Sequence, residues 1–312
     1  MLNIYKSSLT GELQEVEDFE KGSWINLTNP TESEIQKVSS ELGIDIDFIK
    51  APLDDEESPR LEIENNQELI IVDMPMVDED ENSITYYTLP LGIIITERNI
   101  ITTCLKSSYL IDQFIQHKVK SFFTFKKNRF LLQILFKIAT RYLLYLKQID
   151  KISDDIEYRL HKSTRNKELI QMLELQKSLV YFSTSLKSND VVMQKILKME
   201  AIKLYPEDQE LLEDVIIENK QAIEMTTIYS NILSGTMDAF ASIISNNQNI
   251  VMKFLTTITI VMAIPNIVSG FFGMNVEGIP LNGYPMAFAT VIIITTTICG
   301  IVAAILAKKR MF

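Results

Sequence analysis

The sequence predicts an α+β domain, a mixed sheet flanked by helices, then a long stalk helix that leads into a two-helix transmembrane hairpin. Three observations predict it. Two apolar runs, 251–272 and 285–307, close the chain with a short loop between them. From Pro206 onward no proline recurs until Pro265. Near Ser108 the pattern changes, from short alternating β-branched segments to apolar residues at three- and four-residue spacings. The chain then reads as an N-terminal α/β part (1–105), a helical part (106–205), the aqueous part of the stalk helix (206–250), a first span (251–272), an outer loop (273–284), a second span (285–307) and a basic tail (308–312).

Strand patterns occupy 2–5, 13–16, 24–27, 61–63, 69–74, 85–95 and 100–105, rich in β-branched and aromatic residues. Acidic turns at 54–57 and 78–81 separate some of them. Thr31, with Glu34 three residues on, is a capping box, and Gly43 stops the helix it starts. A short helix is expected over 109–117. Long helices over 129–160 and 167–199, free of Gly and Pro, are expected to pack as an antiparallel pair on the sheet. Between helices, Lys118, Lys120, Lys126, Lys127 and Arg129 form a basic patch that reads as a solvated connection. Pro206 opens the last cytoplasmic helix, and Glu207, Asp208 and Glu210 suit its positive dipole end. Continuous to Pro265, it would be ~87 Å long. A helix of that length needs partners, and copies of itself are the obvious ones.

The run 251–272 holds one charge, Lys253, and as a helix reaches roughly 33 Å, enough for a ~30 Å hydrocarbon core. Lys253 can snorkel to the interface. The loop 273–284 has no Lys or Arg and one acid, Glu277, whereas Lys308, Lys309 and Arg310 follow the second span. The positive-inside rule puts both termini, and the roughly 250 residues before the hairpin, in the cytoplasm of a cell (plasma or inner) membrane.

Composition narrows the classes. A net charge of −11 argues against nucleic acid as a partner and suits a protein that attracts cations. Mean hydropathy of +0.10 is high for 23% charged residues, and the hairpin accounts for it. Cys104 and Cys299 imply no disulfide framework, and the N-terminal residues lack a signal-peptide apolar core. There is no P-loop string and no Ser/His/Asp arrangement, and His117 and His161 are the only histidines. An enzyme, a nucleotide-driven pump and a His-based metal site are not expected.

Steps of four and three from Asp238 pick out Ser242, Ser245, Asn249, Met252, Thr256, Thr259 and Ala263. Sustained over this length the spacing keeps one row facing one axis. A packed seam would carry Leu or Ile there; this row is mostly polar. Polar side chains at membrane depth belong in a bundle interior or against water, so a ring of such helices forms a narrow wet pore. The plainer alternative is that Thr256 and Thr259 only bond their own i−4 carbonyls.

Asn246, Asn247 and Asn249, the run from Met252 to Thr256, Pro265, Gly270 and then Gly273-Met274-Asn275 resemble the CorA divalent-cation channel family, whose hallmark is Gly-Met-Asn. The close match covers about 235–312. Phe272 stands where many members have Tyr, and after Glu277 the loop lacks a second acid. The resemblance implies a funnel-shaped homo-oligomer, a pentamer, passing hydrated Mg²⁺ (also Co²⁺ or Ni²⁺) through a central pore. It implies a selectivity filter at Gly273, Met274 and Asn275 with Glu277 at the mouth, pore-lining Asp238 and Asn249, and a gate at Met252 with Leu255 nearby. It further implies an inner basic ring of Lys308, Lys309 and Arg310, and closure by cytoplasmic Mg²⁺ at Asp214. The matching partner region of Asp214 reads Lys50 and Ala51, which leaves Asp54 or Asp55 as substitutes.

Each assignment has a plainer alternative: helix packing for Met252, a solvated loop acid for Glu277, positive-inside anchoring for the basic tail. Two other functions stay open at this point. One is a relative that moves Zn²⁺; the other is a membrane-anchored scaffold or sensor that conducts nothing.

Overall fold

The structure, a computed structural model, describes all residues except 81–82, 163–165, 200–204, 275, 277–278, 281–284 and 310–312. By internal contacts the chain divides into two units, Met1–Thr236 and Met237–Phe312.

The first unit is built on a seven-stranded sheet: β1 (Leu2–Ser7), β2 (Leu13–Glu15), β3 (Trp24–Thr28), β4 (Arg60–Glu64), β5 (Gln67–Asp80), β6 (Ser83–Ile95) and β7 (Ile100–Cys104), in the order β2-β1-β3-β7-β6-β5-β4. Only β3 and β7 run parallel; the other pairs are antiparallel. Helices cover both faces. On one, α1 (Glu32–Leu42) and α2 (Ile46–Lys50) bury Ile35, Val38, Phe48 and Ile49 against Ile25, Leu27, Leu69, Ile71, Ile94 and Ile101. The capping box is present: Thr31 N donates to Glu34 Oε2 (2.8 Å), and the hydroxyl accepts from Glu34 N. The bond from Thr31 N–H is the largest cause that holds the Glu34 carboxyl below the usual carboxylate range. Gly43 ends α1 at φ 64°, the left-handed conformation that glycine adopts without strain.

On the opposite face lie α3 (Tyr109–Ile115), α4 (Lys127–Lys162) and α5 (Asn166–Ile196). Strand alternation sends Trp24 there, between the rings of Phe114, Phe122 and Phe130. Its indole N–H donates to Thr102 Oγ1 (2.8 Å), which donates on to Asn26 Oδ1 (2.9 Å), so the buried polar groups are paired. The basic patch is more than a solvated connection. Lys127 donates to the carbonyls of Thr96 and Glu97, and Arg129 pairs with Glu207 (3.1 Å) and Asp208 (3.3 Å).

The strand β4 is short and pairs with β5 only as far as Ile71. Beyond it, Asn189 of α5 takes the place of a strand. Its amide accepts from Asp73 N (2.9 Å) and donates to Asp73 O (2.8 Å), and Tyr142 OH adds a second bond to that carbonyl (3.1 Å). Asp73 itself is largely buried; desolvation raises its carboxyl pKa, and a bond from Ser185 offsets part of this. A carboxyl raised on folding stabilises most below its unfolded pKa of about 3.9, and that contribution fades as pH rises through the folded value. Asp73→Asn is therefore expected to raise the melting temperature at neutral pH, and to leave it unchanged near pH 3. Equal melting curves for both proteins at pH 7 would contradict this.

The last helix of the first unit continues into the second: α6 runs unbroken over Pro206–Phe272, through Pro265. In the first unit it buries Leu212, Val215, Asn219, Ala222, Thr226 and Leu233, and Asn219 donates to Leu186 O of α5 (3.1 Å). In the second unit its partner is α7 (Ala287–Lys308), which starts two residues later than the sequence suggests and takes Lys308 into its last turn. Both helices are long and apolar enough to cross a membrane.

Candidate functional site: a polar row on α6

The two helices of the second unit show which face of α6 is taken. Thr257 is fully buried, and Val261, Ile264 and Val268 are half-buried at steps of four, three and four. On α7 the half-buried positions Val291, Thr295, Cys299 and Ala303 recur at steps of four. These two stripes meet where Cys299 Sγ lies 3.8 Å from Val261 O.

The predicted row lies elsewhere. Thr256 and Thr257 are neighbours, so they point about 100° apart. Asp238, Ser242, Ser245, Asn249, Met252, Thr256 and Thr259 are all exposed in the single chain, and Ala263 is half-exposed. Met252 and Leu255 expose 56% and 57% of their surface, much as several other apolar side chains of this helix do. The row also outruns its sequence assignment. Asn266, Gly270 and Gly273 continue it at steps of three, four and three, and all are exposed. Asn266, an amide inside the apolar run, is the functional candidate that sequence reasoning missed. The same heptad count finds it when carried one step past Ala263.

The hydroxyl chemistry is specific. Ser242 donates to Asp238 O (3.0 Å), Thr256 to Met252 O (2.8 Å) and Thr259 to Leu255 O (2.8 Å). The i−4 bonds expected of Thr256 and Thr259 in the plainer alternative are present, and they have a consequence. A hydroxyl whose proton is spent on the helix offers only acceptor lone pairs outward. The waters around a cation present only donors, so such a surface suits a hydrated cation. Back-bonding does not single out this row, because Thr290, Thr296 and Thr297 of α7 do the same. The side chains that distinguish it are Asp238, Asn249 and Asn266.

Gly273 closes the helix, its N–H donating to Ser269 O (2.9 Å), and Met274 follows half-exposed. Asn275, Glu277 and Arg310 lie outside the described residues. Lys308 and Lys309 are exposed at the far end of α7. In the first unit Asp214 is exposed on α6, and Asp54 and Asp55 are exposed just after the turn Ala51–Leu53. Among the described residues, no three Asp, Glu, His or Cys side chains of one chain come together as a metal site. Among the described residues, Asp214 is not part of such a cluster within one chain.

A family model described as a CorA-like Mg²⁺ transporter protein matches residues 19–310. The chain belongs to the CorA-like Mg²⁺ transporter family. Among its CorA relatives, the cobalt/magnesium transport protein CorA of Methanocaldococcus jannaschii is 31% identical over 271 residues, 85% of this chain and 83% of the relative. The protein of the same name from Thermotoga maritima is 24% identical over 324 residues, 98% of this chain and 89% of the relative. The complete structure of the M. jannaschii CorA magnesium transporter superposes with a TM-score of 0.84 at 26% identity, covering 98% of this chain and 96% of that one. A cytoplasmic domain of ZntB from Vibrio parahaemolyticus shares the fold at a TM-score of 0.57 and 14% identity, over 79% of this chain and 97% of that one. The α+β domain, the long helix and the terminal apolar helix are thus the architecture of a CorA protein.

Proposed function

We infer that the protein is a Mg²⁺ transporter, carrying Co²⁺ as well, and that it works as a passive channel. The observation that carries this reading is the polar row of α6. It stays exposed while α7 covers a neighbouring face, and it ends at Gly273, one residue before Met274-Asn275. Several copies, five by family resemblance, would turn their rows to a common axis and close a water-filled path. Both termini would lie in the cytoplasm.

Mg²⁺ gives up its water reluctantly, so an entrance that grips the hydrated ion is the workable design. Asn275 would supply a ring of neutral amide oxygens that accept hydrogen bonds from the hydration shell without trapping the ion. Glu277 would raise the local cation concentration at the mouth. Along the row, acceptor oxygens of Ser242, Thr256 and Thr259, with Asn249 and Asp238, would pass the ion inward. Rings of Met252 and Leu255 would close the path by excluding water. Lys308, Lys309 and Arg310 would surround the inner mouth. Cytoplasmic Mg²⁺ would favour the closed arrangement by binding carboxylates of neighbouring copies, with Asp214 on one side and Asp54 or Asp55 on the other. No chemical step is needed, because a potential of 100 mV, inside negative, favours entry of a divalent ion by roughly 4.6 kcal/mol.

Ion uptake into proteoliposomes, with Mg²⁺, Co²⁺, Ni²⁺ and Zn²⁺ compared at a fixed potential, tests the reading. Mg²⁺ and Co²⁺ should enter at rates that follow the imposed potential. Uptake of Zn²⁺ alone, or of none of the four, would overturn it.

A further inference from the structure

Pro265 sits inside α6 and has no N–H, so the carbonyl of Val261 lacks its i+4 backbone donor. In hydrocarbon such a group is costly unless something else donates to it. Cys299 of α7 does: its thiol Sγ lies 3.8 Å from Val261 O. The threonines of α7 behave differently. Thr290, Thr295, Thr296 and Thr297 all donate to their own i−4 carbonyls, whereas the Cys299 donation crosses to the neighbouring helix at the carbonyl that the proline leaves free. Cys299 also lies on the half-buried stripe by which α7 meets α6, and its thiol is free.

We propose that Cys299 is a positioning residue, whose thiol replaces the backbone donor removed by Pro265 and fixes α7 against the α6 segment leading from Asn266 to Gly273. The thiol is suited to this place. It is small enough for the helix interface and apolar enough to tolerate lipid depth, yet it still donates. The consequence for transport rests on the channel reading above; the bond itself does not.

A four-protein cycle of full-length wild type, Cys299→Ala, Pro265→Ala and the double variant, in lipid, tests the proposal. The infrared S–H stretch of Cys299, taken as the difference between each Cys299 protein and its alanine counterpart, should sit at a hydrogen-bonded position in the Pro265 background. In the Pro265→Ala background it should move to the free-thiol position, because the alanine N–H then occupies Val261 O. Mg²⁺ uptake should fall about two- to fivefold in Cys299→Ala, the size that a weak S–H···O bond carries, and should not change when the same substitution is made in Pro265→Ala. Cys299→Ser keeps a donor and should retain wild-type uptake. The proposal is overturned if the S–H band is the same in both backgrounds, if Cys299→Ala has the same effect in both, or if Cys299→Ser behaves as Cys299→Ala. Where Pro265→Ala does not fold, the Ser and Ala variants decide. No uptake by any protein, with the band shift intact, would refute the channel reading and leave the bond standing.

Discussion

Replacing Asn275 by alanine is expected to cut Mg²⁺ uptake at least a hundredfold, with the protein still folded and in the membrane. Hydrogen bonds between an acceptor and polarised water are charge-assisted, and such bonds are each worth about 1.5–3 kcal/mol. In a homo-oligomer one substitution removes every amide of the ring at once. Loss of about 2.8 kcal/mol already amounts to a hundredfold, so two such bonds suffice. Asn275→Asp makes the opposite error. A ring of carboxylates should bind the ion more tightly and release it more slowly, lowering KM and maximal flux together. Unchanged flux in Asn275→Ala would show that the amide is not the filter, and no flux above background in either protein would instead support a membrane-anchored scaffold that conducts nothing.

Gly92→Ala should be the most damaging small substitution in the first unit. Gly92 lies in β6 between Ile71 of β5 and Thr103 of β7. The turn Ala51–Leu53 presses the buried Pro52 ring directly on it, and an added Cβ would overlap that ring, coming within 2.8 Å of Pro52 Cβ alone. Both strand neighbours are pinned by ladder bonds, so the turn would have to move. Overpacking of this kind costs about 1–3 kcal/mol, and here the upper end is expected. For a unit of this size that is a fall of about 5–10 °C in melting temperature. Pro52→Gly, destabilising alone, should recover part of the loss when combined with Gly92→Ala. Equal melting temperatures for Gly92→Ala and wild type would show that the contact yields freely.

The parts of this protein that were legible in its sequence are those fixed by local physics. The apolar runs needed only length and charge count, and the capping box of Thr31 and Glu34 with the stop at Gly43 needed only residue type and spacing. The segment Ile46–Leu53 was not legible, because a five-residue helix followed by a 3₁₀ turn is too short to show a period. The Asn189–Asp73 bonds join positions 116 residues apart and depend on where β4 stops, which only the folded sheet reveals. The row was found by counting, but the count was ended at Ala263. The helix runs on through Pro265 to Phe272, and Asn266 lies on the same row one step further on. The proposed partner of Asp214 was not legible for another reason: a site shared between copies, as proposed, would leave no spacing within one chain.

The central claim is that the row of α6 borders water while the rest of the helix at that depth borders lipid or α7. It is tested most directly by single cysteines in a Cys104→Ser, Cys299→Ser background, placed at Thr256 and Thr259 on the row and at Phe254 and Ile258 off it. In the membrane-embedded protein, a charged, membrane-impermeant thiol reagent should modify the two row positions at least about a hundredfold faster than the other two, the contrast expected between a wet path and hydrocarbon. All four are exposed in the single chain, so a difference can only come from what surrounds them in the assembly. Equal reaction at all four, or faster reaction at Ile258 than at Thr256, would contradict the account.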